Sequence, residues 1–222
     1  MRKSCQNRGN EAEVDIGAKS GSIITSNMNK LVELQKTGRK VFTAQDLGVL
    51  WNYKNSRKLY ELIKYYVNNK QIYRLAKGLY GLDEYDEESL RLDGNLLFEI
   101  ANKLIRNSYI SLFSALKFYG VIFQYYGEIY SVSSKPTVKM VKGVKFVYKK
   151  IKDDVLFNEM GIGKKEVFRM ASIERAVCDS LYFFPKLGLE YVEGVNKEKI
   201  MKMAKIYSNQ ELIKRVKKLM EK

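Results

Sequence analysis

The sequence predicts an α+β chain, with an N-terminal winged helix-turn-helix followed by a mixed α/β C-terminal domain. Three observations lead there. Between Ser26 and Leu82 the pattern runs helix, short strand, helix, helix, strand, turn, strand, set by caps, apolar stripes and turn glycines. A run with five acids in six residues, Asp83–Glu88, follows this basic module directly. Beyond it, helical stretches alternate with extended ones, including an apolar–basic hairpin around Lys142-Gly143. The expected organisation is a mobile arm over 1–22, the winged helix over 23–83, an acidic linker over 84–93 and a C-terminal domain over 94–222.

Residues 1–22 are polar and lack periodicity, the composition of an arm. From Ser26, the spacing of Met28, Leu31, Val32 and Gln35 predicts a helix that Gly38 can end. Val41 and Phe42 form a short extended segment. Thr43-Ala44-Gln45-Asp46 then opens a second helix: the Thr43 hydroxyl can accept from the third amide, and Asp46 suits the positive end of the dipole. Leu47 and Leu50 form its inner side. The third helix carries one apolar stripe, Leu59, Leu62, Ile63, Tyr66 and Val67, and Asn68-Asn69 can end it in a left-handed turn. Gln71–Ala76 and Leu79–Leu82 flank Lys77-Gly78, where glycine supplies the positive φ of a tight hairpin.

The acidic run is both a linker and a suitable start for the next helix, since carboxylates favour a helix N-terminus. Helix is then expected over Asn95–Ile105, strand at Tyr109-Ile110, and a helix capped by Ser111 and stopped at Gly120. Glu128–Val132 reads as extended. Thr137–Lys142 and Val144–Ile151 read as a hairpin with Val144, Phe146 and Tyr148 on one side. Ser172 can cap a helix with Ile173, Ala176, Val177, Leu181 and Phe184 inward, which Pro185 stops. Two helices near Lys197–Tyr207 and Asn209–Met220 close the domain.

The composition narrows the chemistry. The 222 residues are 45% hydrophobic, enough for one large core or two small ones. There are 40 Lys and Arg against 25 Asp and Glu, a formal net charge of +15, which suits a polyanionic partner. Histidine is absent, which removes Ser-His-Asp and Cys-His catalysis and His-ligated zinc. Cys5 and Cys178 cannot build a disulfide framework or a zinc site, and Cys178, among Ala176, Val177 and Leu181, reads as a buried structural thiol. GIGKK at Gly161–Lys165 is too short for a phosphate loop and reads as a loop glycine pair. No metal or cofactor is expected. No stretch is long and apolar enough to span a membrane, and the N-terminus has no secretory h-region, so a cytoplasmic location is expected.

Residues 53–78 hold seven basic residues and one acid, Glu61. In a winged helix the third helix enters the major groove and the wing straddles the neighbouring backbone. Lys54, Lys64 and Lys77 are point charges suited to phosphate, whereas Asn55 and Arg57 have two-pronged geometry for base edges. Lys58 and Arg74 add charge on helix and wing, and Tyr60 can bring a hydroxyl to phosphate. The candidate DNA-binding set is therefore Lys54, Asn55, Arg57, Lys58, Tyr60, Lys64, Arg74 and Lys77. A second basic surface is expected on the C-terminal hairpin, where Lys135–Lys152 has seven lysines and no acid: Lys139, Lys142, Lys145 and Lys149 can face nucleic acid or an acidic partner. Arg175 and Asp179 are i, i+4 and are expected to pair on a helix surface. Phe118-Tyr119, Phe123 and Tyr125-Tyr126 read as core and interface. Two further classes remain open: a winged-helix interaction adaptor that never touches DNA, and a carboxylate-using enzyme, which the absence of a paired-acid motif disfavours.

Several blocks carry a family resemblance. VFTAQDLGVLWNYKNSRKLYELIKYYVNNKQIYRLAKGLYGL (Val41–Leu82) resembles the winged helix of the AbiEi-type antitoxins of the AbiE (type IV) family, whose wing ends R-x-x-x-G-x-Y; here these are Arg74, Gly78 and Tyr80. ANKLIRNSYISLFSALKFYGVI (Ala101–Ile122) is similar to the family's A-x-x-L-x-x-x-S-Y-I-S-x-x-S-A-L-x-x-Y-G block, the most specific of the matches. VSSKPTVKMVKGVKFVYKKIK resembles its basic hairpin, and MASIERAVCDSLYF its A-x-x-E-K-A-x-x-D helix, with Glu174-Arg175-Ala176 in place of E-K-A. The likeness runs from about Ser26 to Phe184. It implies a non-enzymatic antitoxin that binds double-stranded operator DNA and represses its own operon. Its C-terminal domain would oppose a nucleotidyltransferase-like toxin, either by binding it or by acting on its target.

Overall fold

A computed structural model describes residues 30–123, 127–189, 192 and 194–221. The expected arm over 1–22, the start of the first helix at Ser26 and the pair Tyr125-Tyr126 lie outside the described residues. The chain divides into two compact units, Met1–Gly38 and Arg39–Lys222. In the first, residues 30–36 are helical (α1), and the Thr37 hydroxyl donates to the Leu34 carbonyl at 2.6 Å where the helix ends. Leu34 is buried and Leu31 half-buried, whereas Val32 and Gln35, expected inward, are exposed.

The second unit is mixed α+β. It begins with β1 (Val41–Thr43), α2 (Ala44–Leu50), α3 (Ser56–Asn68), β2 (Tyr73–Ala76) and β3 (Leu79–Gly81). The strands form an antiparallel sheet in the order β1-β3-β2. The expected Thr43 cap is present as a full capping box: Asp46 N donates to Thr43 Oγ1 at 3.1 Å, and Thr43 N donates to Asp46 Oδ2 at 2.8 Å. Leu59, Ile63 and Tyr66 are the buried part of the α3 stripe, with Leu62 and Val67 half-buried. Tyr66 packs on Trp51, ring centroids 5.1 Å apart. The end of α3 differs from expectation: Asn69 has φ −86°, and Lys70 takes the left-handed position at φ +54°. A lysine accepts this because the chain closes there through Gln71 N to the Tyr66 carbonyl at 2.9 Å.

The remaining elements are α4 (Glu87–Leu92), α5 (Gly94–Leu104), β4 (Tyr109–Ile110), α6 (Leu112–Phe118), β5 (Glu128–Ser133), β6 (Thr137–Val141) and β7 (Val144–Lys150), followed by α7 (Asp153–Leu156), β8 (Ile162–Lys164), β9 (Arg169–Ala171), α8 (Ile173–Phe183), α9 (Lys197–Ile206) and α10 (Gln210–Met220). Six strands make one mixed sheet in the order β6-β7-β5-β4-β9-β8, with β5 parallel to β7 and β4 parallel to β9. Val144, Phe146 and Tyr148 are buried, as the alternation required. The GIGKK segment is not a loop pair: Ile162–Lys164 pairs with Arg169–Ala171, and only Gly161 turns, at φ +75°. The acidic run contains the start of a helix, with Asp86 as N-cap accepting from Ser89 N at 2.8 Å. Its Glu87 lies so close to the Lys142-Gly143 turn that a Cβ at Gly143 would run into the carboxylate.

Val41, Leu75 and Leu79 belong to the same continuous core as Ile100, Tyr109, Phe146, Val177 and Leu212. The small sheet and the large one are therefore joined by packing, not merely by a connecting segment. Phe118 and Phe123 depart from the expected core: they are 46% and 86% exposed, while Tyr119 is half-buried and donates to the Ala171 carbonyl.

Candidate nucleic-acid interface

α3 is an amphipathic helix whose polar side carries the candidate residues. Its start is fixed by Asn55, whose Oδ1 accepts from Lys58 N at 3.2 Å. Asn55 is expected at a base edge, but its carbonyl oxygen is occupied as a helix cap, which leaves only the amide NH2 for such a contact. Arg57 donates through Nε to Glu61 Oε1 at 3.3 Å, with the two side chains 89% and 65% exposed. Such a pair contributes only about 0.2–0.5 kcal/mol, so a phosphate or a base edge can displace it. Lys54, Lys58, Tyr60 and Lys64 are exposed on the same helix or its entry turn.

Arg74 on β2 stands opposite Tyr80 on β3, and Lys77 with Gly78 forms the turn beyond them. Both cations are exposed, while Tyr80 is buried. Burial pushes the Tyr80 phenol up, Arg74 pulls it down, and Tyr60 on α3 pushes it up again, which places the three side chains in one neighbourhood. The wing thus stands next to α3 at Tyr60, and all eight candidate residues are exposed. Glu61 is the only acid between residues 53 and 78, so the surface is strongly electropositive.

The four candidate lysines of the C-terminal hairpin do not form one patch. Strand register puts Lys145 and Lys149 on one face and Lys139 on the other, opposite Phe146. Lys145 pairs with Glu128 at 3.3 Å, and Lys149 lies over the Phe184 ring at 5.4 Å. Lys142 sits at the turn facing the acidic N-terminus of α4, where it adds to the hydrogen bonds from Ser89 that hold Asp86 below the usual carboxylate range. Period-two spacing alone divides such lysines between two faces.

A groove of about 920 Å³ opens beside α2 and the wing turn. Gln45, Tyr60 and Gly78 line it together with Arg106, Asn107, Lys164 and Arg169. Nothing local in the sequence marks this groove, because its lining comes from segments scattered between Arg39 and Arg169 that meet only through the shared core.

The expected surface pair Arg175–Asp179 is instead the polar centre of the core. Both side chains are fully buried, with Nε 3.8 Å from Oδ1. Arg175 donates to the carbonyls of Val155 at 2.6 Å and Met160 at 2.9 Å, while Asp179 accepts from the hydroxyls of Ser111 and Tyr207, each at 2.6 Å. Ser111 therefore stands at the start of α6 without capping it. α8 is buried on nearly all sides, so an i, i+4 charge pair on it has no solvent to face. Cys178 beside them is buried, and desolvation pushes its thiol far up, which makes it inert as a nucleophile. Among the described residues no group of three or more Cys, Asp or Glu is placed to hold a metal ion, and no helix is long and apolar enough to cross a membrane.

No protein-family model matches the chain, and no curated protein matches it.

Proposed function

We propose that the chain is a cytoplasmic DNA-binding repressor whose residues 23–83 act as a winged helix-turn-helix, with α3 in the major groove and the β2–β3 wing on the flanking backbone. The observation that carries this reading is that Lys54, Arg57, Lys58 and Lys64 on α3 and its entry turn, and Arg74 and Lys77 on the wing, are all exposed, with one displaceable acid among them. Lysines and the wing arginine supply phosphate contacts, and Arg57 with the Asn55 amide supplies base contacts. On the motif blocks quoted above, the repressor is also the antitoxin of a toxin–antitoxin operon. Its C-terminal region opposes a nucleotidyltransferase-like toxin without itself performing catalysis.

The full-length variant Arg57→Ala/Lys58→Ala separates the two roles. Both side chains are exposed, so the fold is retained. In a mobility-shift assay at physiological salt with the chain's own upstream region, the variant is expected to lose binding. In cells expressing a nucleotidyltransferase-like toxin, if one is encoded beside the chain, the same variant is expected to restore growth as well as the wild type does. Unchanged DNA affinity would remove the repressor reading, and absence of growth rescue by the wild type would remove the antitoxin reading.

A further inference from the structure

We infer that the groove beside the wing holds one sugar–phosphate strand of the bound duplex, with Arg106 and Lys164 as its phosphate contacts. This rests on the DNA reading proposed above and extends the footprint beyond the winged module. The groove is lined by five cations, Arg39, Lys103, Arg106, Lys164 and Arg169, and one carboxylate, Asp46. Three of the cations are engaged: Lys103 lies 2.7 Å and Arg39 4.0 Å from Asp46, and Arg169 lies 2.6 Å from Glu159. These pairs neutralise the acids that would repel a polyanion. Arg106 and Lys164 are exposed and make no ion pair or side-chain hydrogen bond among the described residues. They line the groove together with Tyr60 of α3 and Gly78 of the wing turn.

That position selects the ligand. A duplex seated on α3 and the wing presents its backbone at Tyr60 and Gly78, and the next phosphates along that strand meet the two free cations. The groove is too small for a whole duplex but suits one strand. Arg106 can take a phosphate through two parallel N–H donors, and Lys164 acts as a point charge.

Each phosphate neutralised contributes about 0.9 to the slope of log affinity against log salt. The test measures that slope for the full chain on a duplex of its own upstream region, for wild type, Arg106→Ala/Lys164→Ala, and Lys217→Ala/Lys218→Ala. The last pair removes the same charge from exposed positions on α10 outside the groove. The groove variant is expected to bind more weakly and to lose roughly two from the slope, while the α10 variant keeps the wild-type slope. If the wild type binds and the groove variant's slope equals that of the α10 variant, the groove does not carry the backbone, although the DNA reading stands. If the wild type does not bind DNA at all, both fall together. Thermal unfolding monitored by circular dichroism is expected to be unchanged in both variants, since neither pair of side chains is buried.

Discussion

The ammonium of Lys103 on α5 lies 2.7 Å from the Asp46 carboxylate at the start of α2. The same Asp46 oxygen accepts from Thr43 N at 2.8 Å and from the Thr43 hydroxyl at 2.9 Å, so one carboxylate both caps α2 and ties it to α5. A second link runs alongside: Lys40 pairs with Asp93 at 2.6 Å, and its backbone N–H donates to the buried Glu99 at 3.4 Å. β1 and α2 are thus held on α5 by polar contacts as well as by the packing of Val41.

Asp46 should therefore make the protein acid-sensitive. Burial pushes its carboxyl up, but the hydrogen bonds from Lys103 and Thr43 outweigh this and hold it below 3.8. A depressed carboxyl stabilises the fold above its unfolded value, and that contribution disappears as pH falls through the folded value. Asp46→Ala is expected to cost about 1–2 kcal/mol at neutral pH through the lost cap and ion pair. Urea midpoints followed from about pH 5 to about pH 2 should then converge for wild type and variant. A difference that persists undiminished in acid would show that the carboxylate's charge is not what matters.

Arg175 and Asp179 predict a different pattern. Arg175→Met leaves a buried carboxylate without its cation and is expected to cost about 3–5 kcal/mol. Arg175→Met/Asp179→Leu removes both charges and should recover much of that loss, because the volume stays filled. Denaturant unfolding of the single and double variants decides the matter. A double variant as unstable as the single one would mean that the hydroxyls of Tyr109, Ser111 and Tyr207, left without an acceptor, dominate the cost.

Two glycines separate backbone strain from crowding. Gly78 and Gly161 have φ +74° and +75°, so alanine at either costs about 1–2 kcal/mol from the left-handed backbone. A Cβ at Gly78 meets nothing within 4 Å, whereas one at Gly161 would lie 2.7 Å from Met203 Cε and 3.0 Å from Arg175 Cβ. Gly161→Ala should therefore be the more destabilising by roughly a further 1–3 kcal/mol. Adding Met203→Ala to Gly161→Ala should relieve the clash with Met203, though not the contact with Arg175 Cβ, while adding its own cavity cost. Equal melting points for the two single alanine variants would contradict this account.

Local chemistry was legible from residue spacing. The Thr43 cap, the α3 stripe, the Lys77-Gly78 turn and the buried face of β7 all depend on neighbours a few positions away, and the structure follows them. What spacing does not encode is the environment supplied by distant elements. Arg175 and Asp179 have the spacing of a surface pair, yet α6, α7 and α9 surround them. β8 and β9 are three-residue strands whose identity as strands comes only from pairing. Asn55 had two compatible roles, reader and cap, and only the position of Lys58 N assigned its carbonyl. The groove beside the wing combines residues from Arg39 to Arg169 and exists only once the small sheet packs on α5.

Asn55 offers a way to separate folding from DNA contact at a single position. Its Oδ1 caps α3 through Lys58 N, while its amide NH2 remains on an exposed residue flanked in sequence by the exposed Lys54, Arg57 and Lys58. Asn55→Ala removes the cap and is expected to cost about 1 kcal/mol, lowering the melting temperature. Asn55→Asp keeps an accepting oxygen, and its negative charge favours the helix N-terminus, so stability is expected to be held or slightly raised. The same charge would stand where the proposed interface meets the duplex. DNA affinity of Asn55→Asp should fall at least tenfold at physiological salt even though the fold is intact, because a carboxylate faces phosphate and the amide N–H donors are gone. For Asn55→Ala the loss of affinity should be smaller, since no repulsive charge is introduced. Paired measurements of melting temperature and mobility-shift affinity on the two variants test this directly: an Asn55→Asp protein that binds DNA as well as wild type would place the N-terminus of α3 outside the interface.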